Sequence, residues 1–266
     1  MALISAHQCG AGPGLDYGSF AMALRKALNF DCEYVEFDVQ ATADEQLVCL
    51  HDNRVSLAGR SLVVSDAAFG EVAEAVPGVV LYDDALATLR GRKKAHLDLK
   101  FDQALTPPDP RAYVAAARRA VAVLGAENAL ITTGPAGVAA IRRWSHGAEP
   151  ALLVACATGL SCPGFASVGQ IGRFLGADRL VAQIKTCDAN LVAAAPAIAR
   201  RGLAQWASRV GLPLMVWTID GKRQLNHWLG DPRVAIVTTN RPVEAAAIRR
   251  QRELASGRTS GGTAQR

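Results

Sequence analysis

Five ionisable side chains in the first hundred residues have the types and spacing to do chemistry together. Each lies in or just after a short apolar run typical of a β-strand, and the five are His7, Glu36, Asp38, His51 and Asp98. A charged group in a buried strand is costly unless it is paired or binds a metal. Two histidines and three carboxylates placed in this way indicate one polar site at one end of a sheet, suited to metal-assisted acid–base chemistry.

The chain alternates between strand-like and helix-like segments. Apolar, β-branched runs predict strands near 3–6, 34–39, 95–100, 128–132, 151–155, 180–184, 213–218 and 234–238. Ala-rich stretches predict helices near 18–29, 111–124, 135–145, 165–175, 189–209, 222–229 and 242–255. This alternation predicts βα units around a parallel sheet. Eight strands in about 240 residues favour an α/β fold of the (β/α)8 TIM-barrel type over an open doubly wound sheet.

The sequence predicts one barrel domain with an insertion. The domain spans residues 1–255, and residues 256–266 are expected to form a flexible tail. Residues 38–51 are typical of a hairpin that turns at 43–46, so 47–50 should add an extra strand. Residues 53–94 contain one weak helical stretch near 83–90 and otherwise indicate loop. We expect this insertion after His51 to form a loop-rich lobe over one end of the barrel.

Composition excludes several classes of protein. Half of the residues are hydrophobic, so a sizeable core can form. The net charge is +5, but much of the excess lies late in the chain and favours a solvated helix face over a nucleic-acid surface. No run is long enough to span a membrane. The N-terminus lacks a secretory pattern, which predicts a cytoplasmic protein. The sequence does not indicate an oligomeric state.

Barrel geometry predicts how the ionisable groups converge. Active sites of such barrels lie at the carboxyl ends of the strands, and side chains at i and i+2 share a face. Glu36 and Asp38 should therefore face one mouth, as should Asp98 and Lys100. Three carboxylates suit one divalent cation such as Mg²⁺ or Ca²⁺. Two neutral histidines nearby could instead help to hold Zn²⁺.

Three further residues have two interpretations each. Trp217, in the seventh predicted strand, could wall a substrate pocket or pack inside the barrel. Lys185, which follows the sixth predicted strand, could contact a phosphate or be a solvated loop residue. His96 shares a strand face with Asp98 but lies deeper, a position more typical of a core histidine.

The order of these motifs resembles the glycerophosphodiester phosphodiesterase family. The matching segments are spread over nearly the whole chain: Ala6-His7, Tyr34-Val-Glu-Phe-Asp-Val39, Thr42-Ala-Asp44, Leu47-Val-Cys-Leu-His-Asp52, Leu97-Asp-Leu-Lys100, Val216-Trp-Thr-Ile-Asp220 and Thr238-Thr-Asn-Arg-Pro242. The resemblance implies that His7 and His51 act as acid and base. It also implies that Glu36, Asp38 and Asp98 hold the metal, that Lys100 meets the phosphate, and that the substrate is a glycerophosphodiester-like or lipid-derived phosphodiester.

Departures from the family pattern bear on the substrate. Gln8 stands where the family has an arginine that binds phosphate through two hydrogen bonds, and the family's Pro-Glu-Asn-Thr motif is absent. The family's Glu-x-Lys is Asp98-x-Lys100 here, which is similar to the sphingomyelinase D-type phospholipases that release a cyclic phosphate. Three hypotheses follow: a metal-dependent phosphodiesterase that hydrolyses a small or lipid-derived phosphodiester, a lyase-type enzyme that forms a cyclic phosphate, and a binding or regulatory barrel whose catalysis has faded.

Overall fold

The computed structural model describes residues 1–12, 15–101, 109–157 and 177–260 of the chain. In these ranges the strands are Leu3–Ala6 (β1), Tyr34–Ala41 (β2), Leu47–Cys49 (β3), Arg54–Leu57 (β4), Arg60–Val63 (β5), Val80–Leu81 (β6), Lys94–Leu99 (β7), Ala129–Thr133 (β8), Leu153–Ala157 (β9), Leu191–Ala194 (β10), Leu214–Val216 (β11) and Ile236–Thr239 (β12).

Eight of these strands form a closed parallel barrel. Strand β1 pairs with β2 on one side and with β12 on the other. Between them, β7 to β11 complete the ring in the order β2, β7, β8, β9, β10, β11 and β12. Most positions in these strands are buried, as expected where side chains fill the barrel on one face and meet helices on the other. The predicted TIM barrel is confirmed.

Helices cover the outside of the barrel. They are Phe20–Ala27 (α1), Phe69–Ala75 (α2), Tyr82–Leu89 (α3), Pro110–Leu124 (α4), Pro135–Ala148 (α5), Ala177–Thr186 (α6), Pro196–Ile198 (α7), Ala204–Val210 (α8), Lys222–Leu229 (α9) and Pro242–Ser260 (α10). A π-helical segment, Ala199–Leu203, joins α7 to α8. Helices α4, α5 and α7 each have proline in the first turn, where its missing N–H costs nothing.

One predicted strand and part of one predicted helix are wrong. Residues 180–184 lie within α6, not in a strand, and the sixth barrel strand is β10, inside the helix predicted over 189–209. Strand β10 is a short, fully buried apolar run, which periodicity alone cannot separate from a buried helix. The helix predicted over 165–175 lies outside the described residues.

The insertion after β3 has more regular structure than its sequence predicts. Strand β3 pairs antiparallel with β2, which confirms the extra strand, and β6 pairs with β3 in turn. Strands β4 and β5 form a separate hairpin that turns at Ala58 and Gly59, both with positive φ. The lobe rests on its own small apolar cluster: Val48, Leu50, Val64, Ala67 and Val72. At the other end of the chain, α10 extends to Ser260, into the segment predicted as a tail.

The barrel interior is apolar below and polar above. A cluster of Tyr34, Leu130, Ala155, Leu191, Ala193, Met215 and Ile236 fills its lower part. Above it, the buried His96 ring contacts the hydroxyls of Ser5 at 3.0 Å and Thr132 at 3.3 Å. Burial lowers the pKa of His96 to about 3, so the ring is a neutral core group. Among the described helices, none combines the length and the hydropathy needed to cross a membrane.

Candidate functional site

Three carboxylates meet at the carboxyl end of the barrel. The parallel register of β2 and β7 sets Asp38 beside Asp98, and Glu36 lies two residues earlier on the same face as Asp38. One oxygen of each lies within 4.8 Å of the other two. Glu36 and Asp38 are each 2 % exposed, so water screens their charges little. The convergence predicted from strand alternation is present.

Lys100 balances part of this charge. Its Nζ lies 2.6 Å from an Asp98 oxygen and 3.2 Å from an Asp38 oxygen. Burial alone would lower the pKa of Lys100, but Asp98 and Asp38 raise it above its usual value, so the group is an ammonium ion. Burial, opposed by His7 and reinforced by Asp38 and Asp98, raises the pKa of Glu36. When Glu36 is ionised, three carboxylates and one ammonium leave an excess of two negative charges.

The donor set fits a divalent cation. Carboxylate oxygens are the ligands that Mg²⁺ and Ca²⁺ prefer, and three of them at this spacing leave room for water or a substrate oxygen. A double positive charge would offset the two excess negative charges. Burial without such compensation is costly, and the raised pKa of Glu36 reflects that cost.

A kinked turn carries His7 over the site. Strand β1 ends at Ala6, and His7–Gly10 form a 3-10 turn in which Gln8 and Cys9 have left-handed φ values of 47° and 55°. A side chain at Gly10 would lie 2.7 Å from the Phe30 ring, so the turn needs glycine there. His7 Nε2 is 4.0 Å from Glu36 Oε2, and the Gln8 backbone N–H donates to the same oxygen.

The loop after β12 fixes the other side of the His7 ring. Asp220 accepts hydrogen bonds from the Asn240 backbone at 2.9 Å and from its side-chain Nδ2 at 2.7 Å. Because Nδ2 must face that carboxylate, Asn240 Oδ1 faces His7 Nδ1 at 2.8 Å and can only accept. His7 therefore carries a proton on Nδ1, and Nε2 faces the carboxylates. Burial opposes protonation, but Glu36, the Asn240 bond and Asp38 together raise the pKa of His7.

His51 lies two residues after the end of β3 and lines the same pocket as His7. The Gln40 side chain donates to the His51 carbonyl at 3.0 Å, and His51 Nδ1 lies 2.8 Å from Asp52 Oδ1. A pocket of about 460 Å³ opens between the two histidines. Its lining is His7, Gln8, Leu15, Tyr17, His51, Asp52, Thr218 and Asn240.

Gln8 and Tyr17 complete this pocket. Gln8 is 7 % exposed, and its Oε1 finds no hydrogen-bond donor among the described residues. A buried acceptor left unpaired costs about 1–3 kcal/mol. The Tyr17 hydroxyl donates to Asp38 Oδ2 at 3.4 Å, and its ring stacks on Phe20. Burial and the nearby Asp38 raise the pKa of Tyr17, so the hydroxyl keeps its proton.

Two sequence candidates lie elsewhere. Lys185 is exposed in the last turn of α6, six residues before β10 begins, and so belongs to the end of the barrel opposite the carboxylates. The expectation that it follows a strand is wrong, because the segment before it is helical; its contact with phosphate stays a prediction. Trp217 follows the carboxyl end of β11 and is half-buried against the apolar cluster of Tyr34, Leu130 and Met215, while its neighbour Thr218 lines the pocket.

Four residues near the site received no role from the sequence: Tyr17, Asp52, Asp220 and Asn240. Asp52, Asp220 and Asn240 lie in segments whose motifs are visible, but their contacts cannot be read from spacing. His7 and Asn240, for example, are separated by 233 positions. Tyr17 arrives from the loop before α1, where no strand pattern points to the site.

Comparisons with known proteins agree with this geometry. A model of the glycerophosphoryl diester phosphodiesterase family matches residues 21–244, a range that contains the three carboxylates, Lys100 and His51. A glycerophosphodiester phosphodiesterase structure from Parabacteroides distasonis is 18 % identical, with a TM-score of 0.69 over 95 % of this chain and 98 % of that one. A putative glycerophosphoryl diester phosphodiesterase from Agrobacterium tumefaciens is also 18 % identical, with a TM-score of 0.71 over 96 % and 99 %.

A phosphodiesterase from Oleispira antarctica, in complex with the product sn-glycerol-3-phosphate, is 13 % identical, with a TM-score of 0.65 over 93 % of this chain and 96 % of that one. At these identities the structures show the shared barrel fold. No curated protein sequence gives a significant match. The family model covers most of the chain, and the barrel carries its polar site at the carboxyl ends of the strands. The chain therefore belongs to the glycerophosphoryl diester phosphodiesterase family of phosphoric diester hydrolases.

Proposed function

We propose that this protein is a metal-dependent phosphodiesterase that acts on a glycerophosphodiester-like or lipid-derived phosphodiester with His7 and His51 as its acid–base pair. One observation carries the proposal. Three carboxylates with ligand atoms within 4.8 Å of one another adjoin a pocket that both histidines line, because His7 approaches Glu36 and Tyr17 bonds to Asp38. A phosphodiester resists attack because its anionic oxygens repel nucleophiles, and a divalent cation held by these carboxylates, together with Lys100, would offset that negative charge.

Glu36, Asp38 and Asp98 would hold one divalent cation, Mg²⁺ or Ca²⁺. When bound, the cation would neutralise charge that develops on the phosphoryl oxygens in the transition state. Lys100 adds a second positive charge on the same side, since its ammonium contacts both Asp38 and Asp98. Lys100 thus lies close enough to the cation site to meet a phosphate oxygen directed at it.

The two histidines would transfer the protons. One removes a proton from the attacking hydroxyl as its oxygen bonds to phosphorus. The other gives a proton to the alkoxide as the bond from phosphorus to the leaving oxygen breaks. The Asp52 carboxylate orients His51 through Nδ1. Asn240, itself held by Asp220, orients His7 through Nδ1 and leaves Nε2 for the substrate.

Asp98-x-Lys100 supports a second candidate reaction. A substrate hydroxyl could attack phosphorus in place of water, with the same acid–base pair, and would yield a cyclic phosphate. Turnover in ¹⁸O-labelled water separates the two reactions. Hydrolysis places one ¹⁸O in the phosphomonoester product, whereas internal attack gives an unlabelled cyclic diester with its own ³¹P signal.

The proposal is tested on a panel of phosphodiesters assayed with Mg²⁺, with Ca²⁺ and with chelator. We expect product with at least one cation and none after chelation. Binding of these esters without product under either cation would identify the protein as a ligand-binding barrel. We also expect glycerophosphocholine to be a weak substrate, because Gln8 offers no charged contact to the phosphate where the family has arginine.

A further inference from the structure

A second cavity adjoins the histidine pocket on the lobe side. It has a volume of about 550 Å³, and its lining comes from the turn before α1, the end of β3, the hairpin strand β4 and the end of α2. Tyr17 and Asp52 line both cavities. A ligand whose phosphate lies over the carboxylates can therefore extend one substituent past Tyr17 and Asp52 into the second cavity.

The second cavity is a built feature of the fold. Next to the lining residue Pro77, Gly78 of the lobe packs closely on Gly18: an added side chain at Gly78 would lie 2.6 Å from the Gly18 carbonyl. Asp16 Oδ1 accepts from the Gly18 N–H at 3.1 Å and fixes that turn. Beneath the lobe, the apolar cluster around Val64 and Val72 supports the hairpin. A rigid wall of this kind is what a selective pocket requires.

The charges in this cavity are of both signs. Asp16 and Asp52 offer carboxylates, and Ser56 and Arg54, which share one face of β4, offer a hydroxyl and a guanidinium. Arg54 donates to Ser61 at 3.4 Å, and among the described ion pairs none includes it. Val55, Val76 and Pro77 add carbon surface.

This mixture of charges selects against ionic substituents. An ammonium group in the cavity would lie near Arg54, and a second phosphate would lie near two carboxylates. A neutral polyhydroxylated group suits both the carboxylates and the guanidinium, because its hydroxyls can donate to the former and accept from the latter. The C–H faces of such a group can pack on the apolar side chains. The volume also lies within the range of small-molecule sites.

We propose that this cavity is a subsite for the alcohol portion of the substrate and that it takes an uncharged polyol, such as a cyclitol or a sugar. The proposal rests on the phosphodiesterase function proposed above. It assigns Arg54 and Ser56 as specificity-determining residues for one substituent of the phosphodiester.

The test compares three diesters of glycerol phosphate: the inositol ester, the choline ester and the methyl ester. We expect kcat/KM for the inositol ester to exceed that for each of the other two by at least tenfold. Arg54→Ala should lower the ratio of inositol ester to methyl ester by about tenfold, mostly through KM, because the contact is made in ground state and transition state alike. Ser56→Ala should lower it in the same direction.

Arg60→Ala is the matched control. Arg60 is exposed on the same hairpin but does not line the cavity, so its removal should leave the ratio as it is. Equal efficiency on the three esters, a preference for the choline ester, or an equal loss on all three in Arg54→Ala would overturn the subsite.

A binding measurement separates failure of the subsite from failure of the proposed function. Saturation-transfer NMR with free myo-inositol reports contact with the protein without any turnover. We expect a signal with the native protein and with Arg60→Ala, and its loss with Arg54→Ala. If none of the esters is hydrolysed, the proposed function fails. In that case an Arg54-dependent inositol signal supports the cavity's polyol chemistry, and its absence overturns it.

Discussion

Replacement of Asn240 by alanine tests how His7 is held. The variant removes the acceptor 2.8 Å from His7 Nδ1 without touching the carboxylates. A hydrogen bond to a charged group contributes about 1.5–3 kcal/mol, and the His7 ring becomes charged when it takes the reacting proton. At about 1.4 kcal/mol per factor of ten, the loss in kcat should be about 10- to 150-fold. KM should change little, because the lost contact is to His7 rather than to substrate.

The assay is steady-state turnover of a phosphodiester substrate, and the control is Asn226→Ala. Asn226 is an exposed asparagine of α9 that bonds to Arg252 and does not line the histidine pocket. Long-range ¹H–¹⁵N NMR on labelled histidine reads the tautomer directly. The native His7 should carry its neutral-state proton on Nδ1, and Asp220→Asn should weaken that preference because the Asn240 amide can then turn over. A folded Asn240→Ala protein with native kcat would refute the positioning role.

Four further predictions concern the same site and the layer below it. Asp38→Asn should abolish most turnover while the fold survives, and full activity of this variant after exhaustive chelation would exclude the metal role. His7→Ala and His51→Ala should each lose at least about a hundredfold in kcat, and the double variant should lose less than the product of the two if they act as a unit. Gln8→Arg should raise activity on glycerophosphocholine by about tenfold or more, since a charged contact replaces a neutral one; no change would mean that position 8 does not set substrate choice. The pKa of His96 is lowered to about 3 in the folded protein, whereas the unfolded ring binds a proton near pH 6.5. The free energy of unfolding should therefore decrease as pH falls below 6.5. Relative to His96→Asn, the native protein should lose about 1–2 kcal/mol of unfolding free energy between pH 6.5 and 5, and parallel stability curves in chemical denaturation would contradict that.

The barrel was predictable because most of its strands carry a local signal. Apolar runs identify β1, β2, β7 and β12, with β-branched residues in all of these but β7, and Ala-rich segments lie between several of the strands. Strand β10 was not predicted as a strand, because its four residues are all apolar and no polar residue separates them from Pro196. Helix α6 was mistaken for a strand because its apolar residues, such as the buried Ile184, lie close together in sequence.

The hairpin of the lobe carried a weaker signal that sequence reasoning overlooked. Exposed and half-buried residues alternate along β4, which is the pattern of an edge strand on a thin cluster. The turn uses Ala58 and Gly59 at positive φ, where Asn-Gly would be the usual indicator.

The candidate site was predictable in its carboxylates but not in its supporting contacts. Strand alternation alone brings Glu36 and Asp38 to one face, and parallel register adds Asp98. The hydrogen bond between His7 and Asn240 depends on the pairing of β1 with β12 when the barrel closes. No local sequence pattern predicts that pairing. The same applies to Tyr17, which reaches Asp38 from a turn.

One measurement tests the central claim most directly: ³¹P NMR of a phosphodiester substrate with native protein and with Asp38→Asn, first in chelator and then after Mg²⁺ or Ca²⁺ is added back. The account predicts no conversion by either protein in chelator. It predicts that the added cation restores a new phosphorus signal with the native protein and leaves Asp38→Asn near the background rate. Equal conversion by both proteins, or conversion by the native protein that persists in chelator, would contradict a cation held by Glu36, Asp38 and Asp98.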